Sequence, residues 1–304
     1  MSERPDGPTP PPRRDSELPD YAQAPEWLMV LRRFRRHRAA VLSACVLVIV
    51  VACAALADLI APYAATDQNL DRILEPPGPD FLLGSDTLGR DNLSRILYGG
   101  RISLLVGGAV ALISGIVGTT VGLVAGYYGR WVDAVLMRLT DTMLALPGLM
   151  AVIIAARILG DGVSDVVIVL GGITWMIPAR IVRGKVLALK EREFVEAARA
   201  LGVPNRRIIV RHLLPNLAGE VMVSVSLTVA AAILAESTLS FLGLGVSATR
   251  TATWGNMLGG NEGFVIIAPW LVWAPGLAIV VTALCVNFVG DGLRDSLDPT
   301  QDHR

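Results

Sequence analysis

Two stretches of this chain run for longer than a membrane is thick without one charged residue. Ile102 to Gly129 and Gly263 to Gly290 contain no Asp, Glu, Lys or Arg, and about 20 apolar residues in a helix cross a hydrocarbon layer of about 30 Å. In lipid, a segment must satisfy its own backbone hydrogen bonds, which favours helices. The chain is 18% charged, whereas soluble domains carry about a quarter. The pattern predicts an all-α integral membrane protein.

Four further segments complete a predicted bundle of six transmembrane helices. Ala39 to Ala57 is charge-free, and Val221 to Thr249 is interrupted only by Glu236. Thr142 to Ala156 and Val166 to Ala179 are each shorter than a full span. They form either two spans that include a flanking charge near the headgroups or one re-entrant pair. We favour two spans, and either choice leaves the other segments on the same sides.

Basic residues are concentrated on one side of this arrangement. Lys and Arg are enriched in cytoplasmic segments of membrane proteins. One group precedes the first span and another lies between the fourth and fifth: Arg4, Arg13, Arg14, Arg32, Arg33, Arg35, Arg36 and Arg38, then Arg180, Arg183, Lys185, Lys190, Arg192, Arg199, Arg206, Arg207 and Arg211. The other side holds Arg72, Arg90, Arg95, Arg101, Arg157 and Arg250. This predicts a multi-pass protein of the cell (inner) membrane with both termini cytoplasmic.

The spans divide the chain into regions: a cytoplasmic N-terminal tail (1–38), the first transmembrane helix with an extracytoplasmic segment (39–101), a core transmembrane domain (102–292) with a cytoplasmic loop (180–218), and a cytoplasmic C-terminal tail (293–304). Residues 1–24 are Pro-rich and polar and are predicted to be disordered. The arginine-flanked apolar positions 27, 30, 31 and 34 predict a helix in the cytoplasmic interface or a plain basic flank. The polar stretch ahead of the first span is too long for a usual signal peptide, so we expect that span to be retained.

Two patterns surround the second span. Asp91 to Leu97 predicts a short amphipathic helix on the outer surface, ended by Gly99-Gly100, with an ion pair between Asp91 and Arg95. Small residues then recur every four positions: Gly107, Ala111 and Gly115, followed by Gly118, Gly122 and Gly126. Such rows let helix backbones approach closely in lipid. They predict tight packing, although a flexible gating helix has the same pattern.

Three residues within the spans are candidates for a pathway or gate. Asp141 precedes the third apolar run, and Pro147 within it kinks a helix and frees a carbonyl that neighbours or cavity water must satisfy. Glu236 lies in an apolar run, where a charge at mid-bilayer costs about 2.5–3.5 kcal/mol on insertion scales. It either faces a pathway or makes a structural hydrogen bond to a neighbouring helix.

The loop between the fourth and fifth spans predicts two short helices at an angle. Glu191 to Leu201 forms the first, and Gly202 can take the left-handed conformation that ends a helix. Asn205 is placed to cap a second helix from Arg206 to Leu214, and Pro215 is expected to end it.

This loop also carries a motif. Glu196-Ala197-Ala198, Gly202 and Leu214-Pro215 resemble the EAA loop of binding-protein-dependent ABC import permeases. His212 stands where the broad motif prefers isoleucine, and the sequence RHLLPN around it resembles the dipeptide and oligopeptide permease subgroup.

Three other stretches resemble the C-type subunit of that subgroup: Leu83–Leu104, Ala235–Gly245 and Gly290–Thr300. With the basic segment ahead of the first span, the resemblance covers nearly the whole chain. It implies the type I ABC importer permease fold, with six transmembrane helices.

The resemblance also implies partners. The chain would pair with a homologous second permease subunit, two ATP-binding cassette ATPase subunits would dock beneath, and an extracytoplasmic binding protein would deliver dipeptides or oligopeptides. The loop would couple the chain to an ATPase subunit through Glu196, Ala197, Ala198, Leu201, Gly202, Leu214 and Pro215.

The chain lacks the residue patterns of an enzyme. Gly184-Lys185 is followed by Val186 without the earlier Walker glycine, so there is no P-loop. The cysteines and histidines show no metal-ligand spacing. We expect no cofactor, metal or nucleic acid in this chain, and ATP hydrolysis by partner subunits. The alternatives are the same machinery for nickel or another peptide-like cargo, an ion-coupled secondary transporter, for which no internal repeat is evident, and an intramembrane enzyme, for which no nucleophile-base set is found.

Overall fold

The computed structural model describes residues 26–248 and 251–297. Within these ranges the structure contains no β-strand, only an isolated bridge between Ser85 and Asp91, and the predicted all-α fold is confirmed. The predicted disorder of residues 1–24 and the end of the C-terminal tail lie outside the described residues. The helices are α1 (Glu26–Arg36), α2 (Arg38–Ala55), α3 (Ala57–Ile60), α4 (Asn92–Tyr128), α5 (Arg130–Ala145), α6 (Gly148–Leu159), α7 (Val163–Thr174), α8 (Met176–Leu189), α9 (Glu193–Ala200), α10 (Asn205–Ile208), α11 (Leu214–Asn216), α12 (Ala218–Phe241), α13 (Trp254–Leu258) and α14 (Trp270–Leu297).

The predicted number of spans agrees with the helices. Among the described residues, α2, α4, the joined pair α7–α8, α12 and α14 are each long and apolar enough to cross a membrane. The pair α5 and α6 meets the same test only together, with a bend of 89° between the two helices. Six spans result when this bent pair is counted as one.

The third span is broken rather than kinked. Helix α5 ends at Ala145, Leu146 and Pro147 have extended backbones, and α6 begins at Gly148. Proline has no N–H and its ring clashes with the preceding turn, so the helix cannot pass through it.

The fourth span runs well past the predicted end at Ala179. It joins α7 to α8 and continues to Leu189. The basic residues expected to end it stay helical because three of them, Arg180, Arg183 and Lys185, have carboxylate partners on neighbouring helices.

The short outer helix predicted over Asp91 to Leu97 is wrong as a separate element. These residues form the first turns of α4, with Asp91 as N-cap accepting the Ser94 N–H at 2.8 Å. The expected ion pair with Arg95 is also wrong, because Arg95 faces Asp86.

Gly99 and Gly100 do not end that helix, since α4 continues through both. Their missing side chains instead allow close packing. A Cβ at Gly99 would lie 3.3 Å from the Thr253 backbone, and one at Gly100 would lie 3.1 Å from the Trp254 ring. The pair therefore lets α13 pack directly on α4.

The last two spans also differ from their predicted limits. Helix α12 ends at Phe241 rather than near Thr249, because Gly243 takes φ +71° just beyond it. Helix α14 begins at Trp270, after Pro269, rather than at Gly263, and continues to Leu297. It therefore includes the first residues of the predicted C-terminal tail.

The glycine rows of α4 pack tightly. A Cβ at Gly107 would lie 2.6 Å from Ile233 of α12, and one at Gly122 would lie 2.5 Å from the Ala179 carbonyl oxygen of α8. Gly118 and Gly126 meet α8 with similar closeness. Of the two interpretations, these contacts favour tight packing over a flexible gating helix.

Helix α4 joins the two ends of the bundle, called here the α13 end and the α9 end. At the α13 end, Arg101 donates to the carbonyl oxygens of Ala54 (2.6 Å) and Ala55 (2.7 Å). It thereby caps the C-terminus of α2, whose last carbonyls have no partner within the helix. Its hydrogen bond to Asp58 lowers the pKa of that carboxyl. At the other end, α1 packs on the C-terminal half of α14, where a Cβ at Gly292 would meet Phe34.

Candidate functional site

The corner between α9 and α10 has the predicted geometry. Gly202 has φ +74°, which confirms the expected left-handed conformation. Its N–H donates to the Arg199 carbonyl at 2.9 Å, and the Val203 N–H donates to the Ala198 carbonyl at 3.0 Å. This pair of bonds is the Schellman motif, which ends a helix on glycine. The chain therefore turns sharply after Ala200.

The second helix of the loop differs from the prediction. Asn205 is the first helical residue rather than the cap. Pro215 does not end the helix, because it lies in the first turn of α11, where its missing N–H is not needed. One π-helical turn, Ile209–Leu213, connects α10 to α11, and the chain reaches α12 through Leu217. The loop is thus almost continuous with the fifth span.

One face of this α9–α11 segment is anchored to the bundle. Its buried residues are Val195, Ala198, Ile208, Leu213 and Leu217, which pack with Leu123 and Tyr127 of α4 and Val182 and Val186 of α8. Burial of this apolar surface stabilises the segment at about 25 cal/mol per Å². The segment therefore lies in a fixed position on α4 and α8.

The opposite face is exposed. Of the residues predicted to couple, only Ala198 is buried, and the others lie at the surface: Glu196, Ala197, Leu201, Gly202, Leu214 and Pro215. Leu201, beside the Gly202 corner, is 83% exposed. We name this surface the coupling face. The corner thus presents one largely exposed leucine beside a glycine that has no side chain.

A tyrosine that the sequence analysis missed ties this segment to α4. The Tyr127 hydroxyl donates to Asn205 Oδ1 at 2.8 Å, and the Arg199 guanidinium lies 5.5 Å from the centre of the Tyr127 ring. A buried tyrosine usually finds a partner for its hydroxyl. Its position at the end of a charge-free run was the sequence feature that could have marked Tyr127 as a contact residue. Through Tyr127, α9 and α10 are both in contact with the C-terminal end of α4.

Asp141 and Pro147 lie apart from the coupling face. The Asp141 carboxylate accepts from Arg180 of α8 at 2.6 Å, and its side chain is about half exposed. Asp133 of α5 accepts from Arg183 at 2.6 Å. Pro147 lies exposed at the break between α5 and α6. These ion pairs hold the bent third span against α8.

Glu236 lies inside the bundle. Its side chain is fully buried, with Oε1 accepting from the Ser240 hydroxyl at 2.8 Å and Oε2 near the Ser103 hydroxyl at 3.4 Å. Ser103 Oγ in turn accepts the Trp254 N–H at 3.2 Å. The carboxylate thus joins α12 to α4 and, through Ser103, to α13. This geometry favours the structural interpretation of Glu236 over the pathway interpretation.

Glu236→Ala is expected to lower stability by about 2–4 kcal/mol, because it leaves a cavity and buried hydroxyls without their partner. Glu236→Gln keeps the shape and one acceptor and should lose less. Thermal unfolding of the purified protein and its abundance in the membrane measure this. Altered transport by a Glu236→Gln protein of wild-type stability and abundance would instead support the pathway role.

Comparison with known proteins agrees with this architecture. Residues 118–303 match the family described as binding-protein-dependent transport system inner membrane component. Residues 26–77 match the N-terminal transmembrane domain of oligopeptide transport permease C.

Curated relatives resemble the chain over most of its length. The oligopeptide transport system permease protein OppC of Mycobacterium tuberculosis is 41% identical over 274 residues, which cover 89% of this chain and 94% of the relative. The dipeptide transport system permease protein DppC of Alkalihalophilus pseudofirmus is 37% identical over 291 residues, with 96% and 95% covered. From the family match and these relatives together, the chain belongs to the inner membrane components of binding-protein-dependent transport systems.

Proposed function

We propose that this chain is the permease subunit of an ATP-driven ABC importer that moves dipeptides or oligopeptides across the cell membrane. The observation that carries the proposal is the coupling face, a rigid and exposed corner on a buried base. Relatives that are about 40% identical and named as oligopeptide or dipeptide permeases support the choice of cargo. The chain itself serves as a conduit and not as an enzyme.

The coupling face is the proposed contact with an ATPase subunit. Leu201 would enter a groove on the ATPase, and Gly202 would add no side chain at the corner that could obstruct this contact. The surrounding exposed residues would line the contact: Glu196, Ala197, Leu214 and Pro215. Ala198 supports this surface from beneath. Movement of the ATPase would then reach α4 through Tyr127 and α12 through the continuous α10–α11 connection.

The rest of the machinery follows from the same proposal. A homologous second permease subunit completes the translocation pathway, two ATPase subunits bind and hydrolyse ATP, and an extracytoplasmic binding protein delivers peptide. This chain then needs no cofactor, metal or nucleic acid of its own. Asp141 and Pro147, which lie on the bent third span, are proposed to face the pathway or the partner permease.

The orientation that we propose places both termini and the coupling face in the cytoplasm. In a variant without Cys45, Cys53 and Cys285, a cysteine at Arg192 should resist a membrane-impermeant maleimide in intact cells. A cysteine at Gln68, which is exposed at the α13 end, should react. Labelling at position 192 with protection at position 68 would reverse the assignment.

Uptake by cells tests the cargo. Deletion of this chain should abolish accumulation of a radiolabelled di- or tripeptide, and expression of the full chain should restore it. Nickel-63 serves as the comparison, because related machinery for nickel was the main alternative. Loss of nickel uptake with normal peptide uptake would overturn the peptide assignment and leave the importer assignment standing.

A further inference from the structure

A polar cleft opens at the α13 end of the bundle, between the segment that leads into α4 and the residues that follow α13. Its volume is about 220 Å³, and Asp86, Arg90, Arg95, Asn256 and Asn261 are among the residues that line it. A second cavity of about 330 Å³ shares Asn256 and Gly260 with it and has Asp161 on its border. The two cavities are adjacent, because they share these lining residues, and we name them together the outer cleft, or trough.

The guanidinium of Arg95 is the unusual group in this cleft. Its side chain is 3% exposed, and its Nε has no hydrogen-bond partner among the residues that the structure describes. Arginine carries its charge under all ordinary conditions, and buried charges in proteins are normally paired and hydrogen-bonded. An unsatisfied guanidinium that lines a cavity therefore calls for an anionic partner.

The neighbouring carboxylate of Asp86 pairs with Arg95 electrostatically but forms no hydrogen bond with it. Asp86 lies 3.7 Å from Arg95, beyond hydrogen-bond distance. Its oxygens already accept from the N–H groups of Leu88 (2.8 Å) and Arg90 (2.9 Å) and from Arg90 Nε (2.7 Å). Of the charged residues that line this end of the cleft, Arg90 and Arg95 outnumber Asp86, and the buried Asp91 nearby caps α4 outside the lining. Arg95 is thus left with donors for a further anion.

Most of the amide N–H groups of the cleft are used within the protein. Asn256 Nδ2 donates to the carbonyls of Val246 (3.2 Å) and Thr251 (2.8 Å), and Asn261 Nδ2 donates to Met257 at 2.7 Å. The geometry fixes the walls of the cleft and leaves Arg95 as its anion-binding group. At the far end of the trough, Asp161 is exposed and negative. The trough therefore has a positive end and a negative end.

We propose that the outer cleft binds a short zwitterionic peptide, with the peptide carboxylate on Arg95 and the free amino group toward Asp161. Guanidinium groups match carboxylates through paired N–H donors. This inference rests on the proposed function, because it takes the transported peptide as the occupant. It assigns this chain a part in recognising cargo at the side where the binding protein delivers it.

Isothermal titration calorimetry with the detergent-purified complex, free of the external binding protein, tests the inference. The probes are L-alanyl-L-alanine and its C-terminal amide, which lacks the carboxylate. The free acid should bind the wild-type complex at least tenfold more tightly than the amide. Arg95→Gln should weaken binding of the free acid at least tenfold. Arg138→Gln, which removes an exposed arginine of α5 that does not line the cleft, should bind as the wild type does.

Equal affinity of the wild-type complex for the free acid and the amide would overturn the carboxylate assignment, as would no binding of either. This comparison needs no variant, so it decides the matter even if Arg95→Gln fails to fold. Sodium acetate tests whether the cleft binds any small carboxylate or specifically a peptide. Displacement of the dipeptide by equimolar acetate would contradict the peptide assignment, and failure to displace it supports that assignment. Co-purification of an ATPase and cellular uptake are measured separately, so the proposed function can stand if this inference fails.

Discussion

Gly202→Asp is expected to abolish peptide uptake and to reduce ATPase retention at least tenfold, with the protein still present in the membrane. A left-handed conformation costs a non-glycine residue about 1–2 kcal/mol, and aspartate is among the residues that tolerate it best. Within the described part of the chain, no atom lies within 4 Å of the position where a Cβ at Gly202 would stand. The fold can therefore accept the substitution, and the added charge acts on the partner that docks at the coupling face.

Gly243→Asp is the matched control. Gly243 also has a positive φ, +71°, and no described atom within 4 Å of its missing Cβ. It lies at the α13 end on the lining of the outer cleft, so the two variants are compared by ATPase retention and not by uptake. The two variants carry the same charge change and the same backbone strain. ATPase retention, measured by quantitative affinity purification, should fall only for Gly202→Asp. Normal retention and uptake in that variant would end the coupling assignment.

Gly122→Leu is expected to destabilise the protein by about 3 kcal/mol or more, at or above the upper end of the usual cost of overpacking. Overpacking a core usually costs about 1–3 kcal/mol. At Gly122 the new side chain would meet the Ala179 carbonyl oxygen at 2.5 Å and the Val182 Cβ at 2.8 Å. The backbone of α8 cannot move aside without separating the two helices. Purified protein should show a markedly lower Tm and low abundance in the membrane.

Gly108→Leu controls for the change of residue type. Gly108 lies on the same helix with no atom within 4 Å of its missing Cβ, so a leucine there faces open space. We expect nearly wild-type stability. Similar losses in both variants would mean that α4 is sensitive to bulk on every face, contrary to the packing described here.

Much of the fold was predictable because lipid imposes a simple rule on the sequence. A charge-free run such as Ile102 to Gly129 has few stable alternatives to a helix. The ends of the helices were less predictable, because partners distant in sequence decide them. Arg183 lies in a helix and pairs with Asp133 of a neighbouring helix. Gly99 and Gly100 lie inside α4, where their missing side chains allow α13 to pack closely.

The candidate site was predicted in part for the same reason. The conformation of Gly202 follows from local backbone chemistry, so the sequence alone sufficed. Asn205 was interpreted as a cap because its hydrogen bond to Tyr127, 78 positions away, is a property of the fold. Pro215 was expected to end a helix because no local pattern announced the π-helical turn before it. The burial of Glu236 against Ser103 and Ser240 also required the assembled bundle.

We propose that this chain transmits the movement of an ATPase to membrane helices. Affinity purification of the tagged full chain from native membranes in mild detergent, with identification of every co-purifying protein, tests it most directly. The account predicts recovery of an ATP-binding cassette ATPase and a homologous second permease, with ATP hydrolysis by the isolated complex. The opposite result is recovery of the chain without any nucleotide-hydrolysing partner, from a strain that takes up peptide and holds the chain at wild-type abundance. That result would contradict the proposal.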